Sequence, residues 1–158
     1  MPTLAPHILA PQTFRPDVFF EGVWQAWGLV KDLSGRVVER FEVRGEGRTK
    51  PLARVFEVEE QYAFSSGRED RLTWRLSTDD LGAFSGVEVA TGARGQGRQH
   101  AQGYEWRFAR RTQTALGPRR VRLCAQYHQL TDDEALCVTT LRWAGLRIAT
   151  LSSIYRRG

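Results

Sequence analysis

The chain has 158 residues, 41% of them hydrophobic and 26% charged, with a formal net charge of +5. That length suits one domain able to bury about two-thirds of its unfolded surface, and the composition excludes a disordered chain. No run reaches the roughly 18 apolar residues of a membrane-crossing helix, and two cysteines, Cys124 and Cys137, are too few for a zinc site or a disulfide scaffold.

A single domain over 1–158 is expected, with 1–17 as an N-terminal arm. The opening run MPTLAPHILAPQTFRPD lacks a basic start followed by an apolar core, so no secretory signal is read and a cytoplasmic location is expected. Beyond the arm, stretches rich in Val, Phe, Trp, Tyr and Thr are broken by turn chemistry about every 8–12 residues. Strands are predicted over 19–30, 36–46, 52–63, 70–78, 84–90, 93–99, 103–112, 119–129, 135–143 and 147–156. Between them lie Asp32-Leu33-Ser34-Gly35, Ser65-Ser66-Gly67, Asp79-Asp80-Leu81-Gly82, Leu116-Gly117-Pro118, Thr131-Asp132-Asp133-Glu134 and Ala144-Gly145. Gly and Asp supply the backbone angles such reversals need.

Alternation is clearest mid-chain. Leu72, Trp74 and Leu76 oppose Arg71, Thr73 and Arg75; Tyr104, Trp106 and Phe108 oppose Glu105, Arg107 and Ala109; Val121, Leu123 and Tyr127 oppose Arg120 and Arg122. A period of two with one oily face means antiparallel sheet wetted on the other side. No helix of ten or more residues is available to cover such a sheet. The predicted fold is therefore all-β, a closed antiparallel up-and-down barrel of 8–10 strands of lipocalin or calycin type, since closure removes exposed edges. A two-sheet sandwich is the alternative. Candidate inward rings are Trp27, Phe41, Phe56, Tyr62, Trp74, Tyr104, Trp106, Phe108 and Tyr127. They either fill the barrel or wall a space for one small ligand.

Gly22-Val23-Trp24 has the G-x-W form that opens a lipocalin-type barrel, with Arg142 or Arg156 as the cation expected across the Trp. Reactive sets are scarce. His7 and His100 fall in an arm and a turn. If Asp132-Asp133 tips a hairpin, His128 faces Cys137 and Cys124 faces Leu141, which gives a Cys–His pair with no orienting third residue and makes a Cys124–Cys137 bridge unfavourable. Glu57 and Glu59 share a face and are expected to meet Arg44 or Arg40 across the sheet. The Gly92-x-x-Gly95-x-Gly97 run lacks the lysine and helix of a phosphate loop, so its glycines are assigned to a bulge or bend. No catalytic residue, metal set or cofactor is identified, and the reading leans away from an enzyme.

Charge divides unevenly. Residues 1–93 carry 11 basic and 14 acidic side chains, residues 94–158 carry 12 and 4. Between 94 and 122, Arg94, Arg98, Arg107, Arg110, Arg111, Arg119, Arg120 and Arg122 stand against Glu105 alone. Such asymmetry can mark a nucleic-acid or anionic-lipid surface. The plainer expectation is that these arginines point outward from strands and loops; no module for specific nucleic-acid recognition is seen.

The run Phe19-Phe20-Glu21-Gly22, then Ala26-Trp27-Gly28, Asp32, Gly35 and Phe41, resembles the start of the bacterial domain-of-unknown-function 3833 family, whose members begin FF-x-G and continue AWG, D-x-x-G and R-x-F. The likeness continues through Trp74, Phe84-Ser85-Gly86, Gly92, Gly95 and Trp106 to the closing LTDDEALCVTTLRWAGLRIATLSSIYRR. It implies a compact bacterial β domain and no chemistry. Many relatives resemble exported lipoproteins, a pattern not read in this chain. An acidic pair of the relatives is reduced here to Glu88, and an aspartate-rich stretch reads Ala125-Gln126-Tyr127-His128.

Two functions follow. The first is a non-enzymatic binder of a small hydrophobic, amphipathic or anionic ligand. Trp27, Phe56, Trp74, Tyr104, Trp106, Phe108 and Tyr127 would be its walls, and Arg54 or Arg142 its anchor for a carboxylate or phosphate. The second is a filled barrel acting through its arginine-rich surface as an interaction or assembly module, homo-oligomers included.

Overall fold

The computed structural model describes residues 14–78, 83–100, 103–114 and 116–158. The expectations for His7 and most of the N-terminal arm, for the Asp79-Asp80 turn and for the His100 side chain lie outside them. After one helical turn, α1 (Pro16–Phe19), come ten strands: β1 (Gly22–Lys31), β2 (Val37–Lys50), β3 (Val55–Phe64), β4 (Glu69–Thr78), β5 (Phe84–Glu88), β6 (Arg94–His100), β7 (Gly103–Thr114), β8 (Gly117–Gln129), β9 (Glu134–Trp143) and β10 (Leu146–Arg157). Each strand pairs antiparallel with the next, and β1 pairs with β10, so the sheet closes into a barrel. Closure excludes the sandwich, and all ten expected strands are present.

Up-and-down order sends alternate connections to opposite ends. The lower end holds the chain entry and the turns after β2 and β8. The upper end holds the turns after β1, β3, β5, β7 and β9. Period-two burial then sorts the side chains. Leu72, Trp74 and Leu76 are buried while Arg71 and Arg75 are exposed, and Tyr104 and Trp106 are buried while Arg107 is exposed.

The lower end is plugged by rings. Strand β1 begins later than its sequence suggests, because Phe19 closes α1 and Phe20 follows as its cap. Phe14, fully buried, stacks on Tyr127 at 5.1 Å and touches Phe19 at 5.2 Å and Tyr104 at 5.8 Å. Its carbonyl accepts a hydrogen bond from the Gln99 side chain. Phe20 packs on Trp24 at 5.0 Å and on Tyr155 at 5.8 Å.

The parity of β1 corrects one expectation. Trp24 and Ala26 face inward and are fully buried, whereas Trp27 points outward beside Ile154 and is 43% exposed. Gly45 leaves the space that the Trp24 indole occupies, and Gly28 does the same for Phe41, so the inward row of β1 is 24, 26, 28. Neither expected arginine reaches Trp24: Arg156 turns outward to Glu134 at 3.0 Å and Arg142 is exposed. Arg157 stands opposite Trp24 on β10, and Tyr155 packs on the indole at 5.3 Å.

Register brings further corrections. Tyr127 pairs with Cys137, His128 with Leu136 and Cys124 with Thr140, one step from the expected set. The Leu130 N–H bonds to the Glu134 carbonyl, so the chain reverses over residues 131–133 and the hairpin centres on Asp132 rather than between Asp132 and Asp133. Gly95 and Gly97 form no bulge. They sit opposite Phe108 and Trp106, and a side chain on either would meet the Trp106 or Tyr104 ring. Glu57 pairs with Arg75 at 3.1 Å and Lys50 at 3.2 Å rather than with Arg40 or Arg44, because β3 pairs Glu57 with Arg48 and Arg75.

Candidate functional site

The ring cluster around Phe14, Phe20 and Tyr127 closes the lower end of the barrel. Above it lies a cavity of about 700 Å³ that opens upward. Its apolar walls include Val58, Leu72, Trp74, Trp106, Leu123 and Leu151. Trp74 meets Trp106 edge-on at 5.2 Å and Phe108 at 5.0 Å.

The polar part of the cavity follows from strand parity. On β3 the inward row is Phe56, Val58, Glu60, Tyr62 and Phe64; on β4 it is Asp70, Leu72, Trp74 and Leu76; on β7 it is Tyr104, Trp106, Phe108, Arg110 and Thr112. Each row therefore carries an ionisable residue inward among apolar ones. The Tyr62 hydroxyl donates to Glu60 Oε2 at 3.1 Å. Arg110 grips Asp70 with two hydrogen bonds, Nη1 to Oδ2 at 2.8 Å and Nη2 to Oδ1 at 3.3 Å. These two belong to strands that are not neighbours. The short β5 and β6 stop below them, the last pairings being Trp74–Glu88 and Gly95–Phe108, and the ion pair spans the gap left above.

Burial pushes the Glu60 carboxyl up to about 7, against the smaller opposing pull of the Tyr62 hydrogen bond and the Arg110 charge. Glu88, also buried, behaves differently. Burial again disfavours its charge, but the N–H groups of Thr73, Thr91 and Ala90 and the Thr91 hydroxyl outweigh that and hold it below its ordinary value. Glu88 thus caps the turn after β5. Around the mouth, Arg68 lies 3.9 Å over Phe64 and 3.5 Å from Glu39. Arg119 lies 5.4 Å over Trp143 and donates to the Pro118 carbonyl at 2.9 Å.

Of the wall residues expected from sequence, Trp74, Tyr104, Trp106, Phe108 and Tyr127 line the cavity. Phe56 is buried but lies lower, near Gly47, and Trp27 is outside. Both expected anchors lie outside the cavity. Arg54 sits in the lower turn after β2, exposed with φ at 53°, and Arg142 is on the outer wall. Arg110, Glu60, Asp70 and Arg119 line the cavity instead, and none of them is a site candidate in the sequence analysis. The signal was available: Glu60 shares the parity of Phe56 and Val58, Asp70 that of Leu72, and Arg110 that of Phe108. Cys137 faces inward beneath the cavity, where burial pushes its thiol up to about 12, so it is a poor nucleophile at neutral pH. Of the arginines expected to point outward, Arg110 and Arg119 point in.

The S-type phycobiliprotein lyase CPES from Guillardia theta has a similar structure, with a TM-score of 0.56 and 10% identity over 87% of this chain and 88% of that one. A barrel designated EF1p2_mFAP2b, in a structure bound to DFHBI, matches with a TM-score of 0.48 and 9% identity over 91% of this chain and 98% of that one. Among curated proteins none matches this chain. The lyase likeness identifies the architecture as a lipocalin-like barrel. A family model described as "Protein of unknown function (DUF3833)" matches residues 7–157, and the chain belongs to that family.

Proposed function

We propose that the protein binds one small amphipathic molecule inside the barrel, with no covalent chemistry of its own. The observation that carries this reading is the cavity of about 700 Å³, sealed below by rings and open above. That volume falls in the range of sites for small molecules. An apolar body fits against Leu72, Trp74, Trp106, Leu123 and Leu151, while a polar head meets Glu60, Tyr62 and the Asp70–Arg110 pair. Asp70 already neutralises Arg110, so the head is recognised by hydrogen bonds more than by net charge. The lyase likeness supports the architecture, and the cavity walls carry the ligand class.

Titration with an apolar fluorophore, read by energy transfer from Trp74 and Trp106, tests the reading. Saturable uptake of one probe per chain is expected. Trp106→Ala also removes core packing and costs about 3–5 kcal/mol, so the decisive variant is Leu123→Trp, which fills cavity space. Loss of uptake with the melting temperature held or raised supports binding inside the barrel. Undiminished uptake by that variant contradicts it.

A further inference from the structure

The outer wall near the mouth carries unpaired charge. Arg111 pairs across the sheet with Arg120, Arg122 with Arg142, and Arg142 with Arg147. All five side chains are exposed. Directly opposed like charges destabilise a sheet, and among the described residues none of the five has a carboxylate partner. The carboxylates on this wall, Glu105 and Glu134, lie lower and are engaged by Arg107 and by Arg156. Just above the arginines, three adjacent upper turns expose leucines: Leu116 at 61%, Leu146 at 69% and Leu33 at 64%. Arg119, stacked over Trp143, joins this rim to the cavity.

A collar of arginines beneath projecting apolar tips has the layering of a membrane interface. Phosphate heads meet guanidinium groups while short apolar side chains enter the acyl boundary. A nucleic acid would use the arginines but leave three leucines in water. We propose that the upper rim of the barrel docks on an anionic phospholipid surface, through Arg111, Arg120, Arg122, Arg142 and Arg147 with Leu33, Leu116 and Leu146 at the tips. The docking does not require a bound ligand. If one is carried, the cavity opens toward the bilayer.

Co-sedimentation of the full chain with vesicles of equal parts phosphatidylglycerol and phosphatidylcholine tests this, with pure phosphatidylcholine as the control. The protein is expected to pellet with the anionic vesicles, to be released by salt, and to ignore the neutral ones. The pair Arg122→Glu and Arg142→Glu is expected to weaken binding at least about tenfold. Leu116→Ser with Leu146→Ser is expected to weaken it in the same assay, with circular dichroism and melting unchanged in both pairs. The proposal is overturned if the protein does not pellet with anionic vesicles, or if either pair can be changed without weakening. Retention of duplex DNA, lost in the arginine pair while vesicles are ignored, would overturn it in favour of a nucleic-acid surface.

Discussion

Glu60 pairs across the sheet with Gly45 on β2 and Leu72 on β4, so its carboxyl enters an apolar layer with the Tyr62 hydroxyl as its donor. An acid whose value is raised in the fold binds its proton more tightly there than in the unfolded chain. Stability therefore falls as pH rises from the ordinary carboxylate range through about 7, and levels off above it. The shift corresponds to at most about 3 kcal/mol. Glu60→Gln is expected to flatten that slope and to leave the protein more stable than wild type at pH 8, as read by urea unfolding at pH 5 and pH 8. An unchanged slope would show that Glu60 does not titrate in this window. Asp70→Asn strips one charge from the pair that bridges β4 and β7, and about 1.5–3 kcal/mol of stability should be lost. Sequence alternation contained both residues' placement. Parity along β3 and β4 puts Glu60 and Asp70 with the oily row, but a carboxylate beside Glu57 and Glu59 reads as solvent-facing until the rows are counted.

Among the elements, β6 and the lower plug show what a one-dimensional pattern conveys and what it hides. Turn chemistry marks six of the nine reversals, where Gly, Asp or Pro supplies backbone angles needed whatever the tertiary context; the β-rich stretches between them locate the remaining strands. The sequence pattern starts β1 too early because Phe19 and Phe20 look like strand residues, and only their contacts with Phe14, Trp24 and Tyr155 make them a plug. The glycines of β6 were legible as unusual but not as seats for rings, since Trp106 and Tyr104 arrive from the neighbouring strand. Gly97→Val is expected to cost about 1–3 kcal/mol by overpacking against these rings, measured by thermal unfolding. A neutral result would mean that the rings do not need that space. Phe14→Ala, which removes a fully buried ring from the plug, should cost about 3–5 kcal/mol.

At the scale of the molecule, short β5 and β6 matter as much as closure. They leave a gap in the upper wall that Asp70 and Arg110 bridge, and they let the barrel hold a cavity above a core of rings. Composition could announce many aromatics. It could not say which of them plug the lower end, because that depends on which strand ends lie together. The same geometry places the unpaired arginines of β7–β10 and the leucine tips around one opening. Native mass spectrometry of freshly purified protein, beside an organic extract of the same sample, shows whether the cavity holds a ligand. A reproducible adduct of one small amphipathic molecule per chain is expected, recovered in the extract and absent from Leu123→Trp. Bare chain from both proteins, with no amphiphile taken up on addition, would contradict it.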